Sequence, residues 1–327
     1  MKHFKLFTLA SLVLFSCVEE FDLHLGEFEP KLVVEGVITN KSGPHYIRLT
    51  KSNTGAFIKP DYSYSDNAEP VMNATIIISD NGGQIDTLVP IDINIEEYLY
   101  DYNIGYFKLV FDEYNEIIDT MFLEAPPEYR HDRGFYKTRC LKGIPERTYY
   151  LKVITTDGTI YNAFDYMPLV PQIDSIGYHK KILEKDGQEY FVPLLYFREF
   201  QEVDNYYLIQ LIDEESSRTF SAHTTWRFSI LSDKYLEPYV NGLNIDNGAS
   251  AQGSDFYYFV TGDSIHVTMS SLSSNAYNYY KNLIEQFEND GGAYKPTPAS
   301  PPTNISNGGL GFFRASSVVE AKTIIKY

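Results

Sequence analysis

Apolar and polar residues alternate with a period of two along much of this chain, in short runs broken by Gly, Asn, Asp and Pro. Successive strand side chains point to opposite faces, so this pattern predicts half-buried β-strands. Lys31-Leu32-Val33-Val34-Glu35-Gly36-Val37-Ile38 is apolar and β-branched and ends at Asn40-Lys41-Ser42-Gly43-Pro44; His45-Tyr46-Ile47-Arg48-Leu49-Thr50 then alternates cleanly. Ala74–Ser79 runs into Asp80-Asn81-Gly82-Gly83, a hairpin turn sequence, and Gln84–Leu88 returns from it. Tyr106–Phe111, Phe135–Leu141, Tyr149–Thr155 and Thr159–Phe164 continue the series, the last two joined through Asp157-Gly158. About eight strands at this spacing predict an antiparallel, immunoglobulin-like β-sandwich over residues 31–166, although no Cys-Trp-Cys pattern is present.

Met167-Pro168-Leu169-Val170-Pro171-Gln172 carries two prolines, which cannot donate to a ladder and hold the chain extended; residues 167–172 read as a linker. Residues 173–327 read as a second β-rich domain, with strands at Ile173–His179, Phe191–Phe197, Asn205–Leu211, Phe256–Val260, Ser264–Met269 and Lys322–Tyr327. One helix is predicted near 274–289. Ser273 or Ser274 can cap it, Ala276, Tyr280, Leu283 and Phe287 form a stripe suited to packing on the sheet, and Gly291 can end it. Residues 291–309 make a long loop, rich in Gly, Pro, Ser and Asn, of a length that is usually functional or mobile.

The first 22 residues break the strand pattern. Lys2, His3 and Lys5 precede an apolar run, Leu6 to Phe15, too short to span the roughly 30 Å hydrocarbon core of a membrane as a helix. It suits the apolar region of an export signal over residues 1–16. The run ends in Leu14-Phe15-Ser16-Cys17, which resembles the bacterial lipobox and implies an acylated Cys17 at the mature N-terminus. Acyl chains contribute roughly 0.8 kcal/mol per buried CH₂, so two or three of them anchor a protein stably in the outer membrane. Residues 17–30 read as an acidic tether. Within them Glu19, Glu20 and Asp22 resemble the tag that sends lipoproteins of the Bacteroidetes to the outer face of that membrane, implying a domain facing the cell exterior.

Charge agrees with lipid rather than electrostatic attachment. Lys and Arg number 27 against 44 Asp and Glu, a formal net charge of −17. Such a surface repels phosphate, which argues against nucleic-acid partners and polybasic membrane attachment. With Cys17 acylated only Cys140 remains, so no intramolecular disulfide is expected, and Cys140, at the end of Phe135–Leu141, reads as a buried packing residue.

Four segments together carry a family resemblance: Lys31-Leu32-Val33-Val34-Glu35-Gly36; Gly143-Ile144-Pro145-Glu146-Arg147-Thr148-Tyr149; Met167-Pro168 with Ile173-Asp174-Ser175; and Ile305-Ser306-Asn307-Gly308-Gly309-Leu310-Gly311-Phe312-Phe313. In order and spacing they resemble a Bacteroidetes family of outer-membrane lipoproteins, domain of unknown function 4249. Glu146 stands where that family more often has a turn Gly, and Val37 where an aromatic is common. The resemblance implies a gene neighbourhood with TonB-dependent outer-membrane receptors and supplies no reaction or catalytic residues.

The residues themselves offer little chemistry. The seven His are scattered without metal-ligand spacing, and no HExxH, Gly-x-Ser-x-Gly or phosphate-cradling Gly loop occurs. Asp80-Asn81-Gly82 and Asp246-Asn247-Gly248 could hold calcium, but turn formation explains them more simply. The chain reads as non-enzymatic, with no cofactor and no metal. The 28 Tyr are the better lead. Tyr62 and Tyr64, then Tyr98, Tyr100 and Tyr102, then Trp226, Tyr235 and Tyr239 fall in turn-rich segments, where exposed aromatics give large, rigid contacts to a glycan or peptide ligand or a partner protein. Thr87, Thr120, Ser175 and Ser264 each follow an Asp and precede an apolar residue, resembling the O-glycosylation acceptor of that phylum. The expected role is that of a surface lipoprotein serving as accessory or substrate-capture partner of a TonB-dependent transporter. The competing role is an independent adhesin or glycan-binding lipoprotein.

Overall fold

The computed structural model describes residues 29–52, 69–90, 99–101, 105–111, 117–123, 134–182, 187, 189–201, 203–212, 228–245, 259–288 and 300–326. Cys17, Glu19, Glu20, Asp22, Tyr62, Tyr64, Tyr98, Tyr102 and Trp226 lie outside them. The protein is mainly β. In chain order the strands are β1 (Leu32–Thr39), β2 (Tyr46–Lys51), β3 (Glu69–Pro70), β4 (Thr75–Asp80), β5 (Ile85–Thr87), β6 (Val89–Pro90), β7 (Leu99–Asp101), β8 (Gly105–Phe111), β9 (Ile117–Leu123), β10 (Phe135–Lys137), β11 (Thr148–Ile154) and β12 (Ile160–Tyr166). They are followed by β13 (Ile173–Ile182), β14 (Glu189–Arg198), β15 (Tyr206–Ile212), β16 (Phe228–Ser232), β17 (Tyr239–Asn244), β18 (Ser264–Leu272), the helix α1 (Ser274–Glu288), β19 (Leu310–Ser316) and β20 (Val318–Ile324).

The first lobe is a sandwich. One sheet runs β19-β1-β2-β10-β6, with β3 beside β2, and the other runs β12-β11-β4-β5. Alternation does what the sequence predicts. Leu32, Val34 and Ile38 of β1, Ile47 and Leu49 of β2, Ile76 and Ile78 of β4, and Tyr149, Leu151 and Val153 of β11 all point into one core. The β4–β5 and β11–β12 hairpins form at the predicted turns, where Gly83 and Gly158 adopt φ of 92° and 85°. Strands β7-β8-β9 form a separate antiparallel sheet.

The second lobe pairs β13-β14-β17 against β16-β15-β18-β20. Leu195 and Phe197 of β14, Tyr207, Ile209 and Leu211 of β15, and Ile265, Val267 and Met269 of β18 fill its core. On the opposite face of β15 and β18, Leu208 and Leu272 meet Ala276 of α1, and Tyr206 stacks on Tyr277 at 4.5 Å between ring centroids. Ser273 caps the helix, its hydroxyl accepting from the Ala276 N–H at 3.1 Å.

Some sequence expectations change here. Leu310–Phe313, assigned from the sequence to the C-terminal half, belongs to β19, which pairs parallel with β1 over seven registers and sends Phe313 and Ala315 into the first core. Periodicity marks a strand but not its partner, and a parallel partner is reached only by a long crossover. Cys140 is exposed instead of buried, because β10 ends at Lys137 and the next residues bend away.

Chain passes between the lobes at residues 167–172, between α1 and β19, and at Ser317, and the first and last of these crossings are tied together. The Pro168 carbonyl accepts from the Ser271 hydroxyl at 2.8 Å and the Ser317 hydroxyl at 2.5 Å. Asn40 at the end of β1 reaches across to the first residue of β20, accepting from the Val318 N–H at 2.7 Å and donating to its carbonyl at 3.3 Å. Met167, Val170 and Pro171 are buried, so the predicted linker is a packed junction.

Candidate functional site

At one end of the second lobe, four strand termini converge: β14 stops at Arg198, β15 begins at Tyr206, β16 ends at Ser232, and β17 begins at Tyr239. Between β16 and β17, Asp233–Tyr235 make one 3₁₀ turn, with the Ser232 hydroxyl accepting from the Lys234 N–H. The backbone N–H of Glu199 donates to the Pro238 carbonyl at 3.0 Å and closes the arrangement.

Glu199 lies at the floor, 5% exposed. Its Oε1 accepts from the Tyr207 hydroxyl at 2.6 Å, the Phe200 N–H at 2.9 Å and the Asn205 amide at 3.1 Å, while its Oε2 is buried with no hydrogen-bond partner among the described residues. Asn205 also joins the floor to the 3₁₀ turn: its N–H and its side-chain amide donate to Asp233 Oδ2 at 2.7 and 3.1 Å. Burial pushes the Glu199 carboxyl above its ordinary pKa; the Tyr207 hydrogen bond opposes this and neighbouring Asp233 adds to it. Burial and the Glu199 carboxylate together hold the Tyr207 hydroxyl far above its usual range.

The cavity over this floor has a volume of about 430 Å³ and is lined by Phe200, Val203, Asp204, Asp233, Lys234 and Leu236 as well as Glu199. Its surroundings carry exposed apolar side chains. Val203 is 64% exposed and Tyr235 85%, with Phe200 and Tyr239 also exposed. Lys234 Nζ sits 5.5 Å from the Tyr235 ring centroid, and the Arg198 guanidinium 5.8 Å from that of Tyr239. An acidic, mostly polar cavity with Phe200 in its lining suits a polyhydroxyl or cationic ligand, or the side chains of a partner protein.

Of the tyrosines singled out by sequence, Tyr235 and Tyr239 stand on the turn and the strand start beside this cavity, outside its lining. Tyr100 falls in β7, where only the backbone is described. Thr87 and Ser175 are exposed on β5 and β13, Ser264 is half-buried at the start of β18, and Thr120 falls in β9, again with only its backbone described. The Asp preceding Thr87 has a structural task of its own. Buried Asp86 accepts through Oδ2 from the N–H groups of Arg139, Cys140 and Leu141 at 2.8–2.9 Å. At the first candidate calcium turn, Asp80 is already saturated: Oδ1 accepts from Gly82 and Gln84, and Oδ2 from the Gln84 amide and Arg147. Although burial works to raise its pKa, these donors hold the carboxyl below the ordinary range, and no lone pair remains for a metal. The second such turn, 246–248, lies outside the described residues.

A second concavity, of about 570 Å³, lies on the outward face of β4, β11 and β12 under residues 303–306. Tyr150 (46% exposed) and Phe164 (60%) stand side by side there, 6.4 Å between centroids. Asn304 and Ser306 hold the overlying segment to the β12 edge through the Phe164 carbonyl and the Asn162 N–H. Looking for aromatics only in turn-rich segments misses this pair. The available signal is their position on the polar phase of two alternating strands.

Fold and pocket thus define a two-lobed, mainly β protein with an acidic cavity at one end of its second lobe and exposed tyrosines beside it. Residues 18–322 match the family described as Domain of unknown function (DUF4249), and the chain belongs to that family. No curated protein matches it.

Proposed function

We propose that this protein is a lipoprotein of the Bacteroidetes outer membrane, acylated at Cys17 and facing the cell exterior, that works as a non-enzymatic accessory or substrate-capture partner of a TonB-dependent transporter. The observation that carries the reading is the exposed group of Phe200, Val203, Tyr235 and Tyr239 around the second-lobe cavity. Aromatic side chains on strand ends offer large contact area at low entropic cost, as protein and glycan interfaces require. The acidic tag Glu19, Glu20 and Asp22 supports the outward orientation, and proteinase shaving of intact cells tests it: complete protection of the protein refutes surface exposure.

Mild-detergent capture of the tagged lipoprotein from native outer membranes, followed by mass spectrometry, tests the partnership. A stoichiometric β-barrel receptor is expected, and it should be lost when Tyr235 and Tyr239 are both replaced by Ala. A lipoprotein that emerges alone refutes the accessory role. The Tyr150–Phe164 groove supports a second reading, an autonomous glycan-binding adhesin, since paired exposed aromatics suit sugar faces. A glycan-array hit abolished by Phe164→Ala, without any receptor partner, would establish that role instead.

A further inference from the structure

The sheet beneath the second concavity separates its acids from its cation. Strands β4, β5, β11 and β12 carry three acids, Asp80, Asp86 and Asp165, and all three are buried. The one cation of these strands, Lys152, is exposed on the outward face. Among the described residues that line the concavity, Lys152 is the only charged one, and its ammonium forms no ion pair with any of them. In a chain of formal net charge −17, a hollow lined by one cation and no acid is a local reversal of the surface. At 0.1 M salt, charges more than about 10 Å away are largely screened, so the local cation decides what the hollow attracts.

Strand register arranges the exposed groups in two rows. Phe164, Tyr150 and Ser79 lie opposite one another in the first, and Asn162, Lys152 and Ile77 in the second. Positions two residues apart on a strand are about 7 Å apart, so the Lys152 ammonium and the Asn162 amide border the two exposed rings. Ring faces suit the apolar C–H faces of a pyranose, and the neighbouring row supplies donors for its hydroxyls and for a carboxylate. An extended peptide is poorly served here, because the β12 edge that an added strand would use is occupied. The Ser306 N–H donates to the Asn162 carbonyl at 2.8 Å, the Asn162 N–H to the Ser306 hydroxyl at 2.7 Å, and the Asn304 amide to the Phe164 carbonyl at 3.0 Å. We propose that this groove binds an anionic glycan built of uronic acid residues, with Tyr150 and Phe164 against the sugar faces and Lys152 paired with a carboxylate. This ligand class rests on the glycan-binding reading of the groove and is independent of the receptor partnership.

The test titrates the full-length mature protein in detergent, by calorimetry, with oligomers of galacturonate, mannuronate and glucuronate, with the matching neutral oligosaccharides, and with poly-glutamate. At least one uronate oligomer should bind, about tenfold or more tightly than its neutral counterpart, as loss of one charge-assisted hydrogen bond implies. Lys152→Gln should erase that preference, Lys152→Arg should retain most of it, and Phe164→Ala should abolish binding of both sugars. Lys152 and Phe164 are exposed, so these variants keep the core intact. Equal affinity for neutral and anionic oligomers, or a uronate affinity untouched by Lys152→Gln, overturns the proposal and leaves the glycan-binding reading standing. No binding to any sugar overturns both. Poly-glutamate bound as tightly as the uronates also overturns the proposal, showing a surface for acidic peptides.

Discussion

Phe313 offers the sharpest test of how the two halves of the chain are joined. It lies on β19, almost at the C-terminal end, yet its ring is fully buried in the first lobe among residues of β1, β4 and β11. Replacing a buried Phe by Ala loses its transfer free energy and leaves a cavity, at a cost of about 3–5 kcal/mol. The Phe313 backbone is pinned on both sides by Asn304, which accepts from its N–H at 3.0 Å and donates to its carbonyl at 2.7 Å, so the strand cannot readily shift to close the gap. Against a typical total stability of about 5–15 kcal/mol, Phe313→Ala should be strongly destabilising. The location of the damage is more diagnostic than its size. Hydrogen exchange followed by mass spectrometry should show protection falling in Leu32–Thr39, Thr75–Asp80 and Thr148–Ile154, all remote in sequence, ahead of any loss in β13–β17. A fragment containing residues 31–172 alone lacks β19 and should fail to unfold cooperatively in urea. Cooperative unfolding of that fragment, with a protected β1, would refute the shared-sheet reasoning.

Three further outcomes follow from local geometry. Glu146 holds φ at 63°, a left-handed conformation costing a non-glycine residue about 1–2 kcal/mol, so Glu146→Gly should raise stability by up to about 1 kcal/mol in urea titrations after the added freedom of the unfolded chain is offset. Asp86→Ala strands three N–H groups and should cost at least about 2 kcal/mol, whereas Asp86→Asn keeps an acceptor oxygen and should recover much of the loss in the same measurement. Asp165 is buried where β12 meets β19; burial, only partly opposed by hydrogen bonds from Ser273 and the Ala315 N–H, raises its pKa from 3.8 to about 6. The native state then holds a proton that the unfolded chain releases at lower pH. At about 1.36 kcal/mol per pH unit, stability should therefore fall by about 3 kcal/mol as pH rises from about 4 to about 6 and level off above that. Asp165→Asn should flatten this part of the pH profile.

Much of the fold was legible because alternation, turn chemistry and capping are local signals. The β4–β5 and β11–β12 hairpins and the helix with its Ser273 cap all follow from residues adjacent in sequence. The resemblance sets Glu146 against a turn glycine, and the left-handed φ of 63° at that residue is the conformation a glycine would take without strain. The β1–β19 pairing was not legible, since nothing in either strand's periodicity names a partner some 280 residues away. At the candidate site, Tyr235 and Tyr239 could be picked out as aromatics in a turn-rich segment. Glu199 and Asn205 could not, because a buried acid is distinguished from the many surface acids only by its surroundings. Tyr150 and Phe164 are hidden in the sequence for the opposite reason: they lie in regular strands, where aromatics are expected to be buried.

The parallel pairing of β1 with β19 also has a mechanical meaning. The N-terminal side of the chain enters the first lobe at Leu32, and one of the connections to the second lobe leaves the far end of the ladder, just beyond Ser316. A load hung on the second lobe and resisted at an N-terminal anchor would draw these two strands past each other along their length. Seven residue pairs would share that shear at once instead of parting one by one, as a peeled hairpin does. A protein tethered by its first residues and grasping something with its far lobe would thus hold hardest in the direction in which it is pulled.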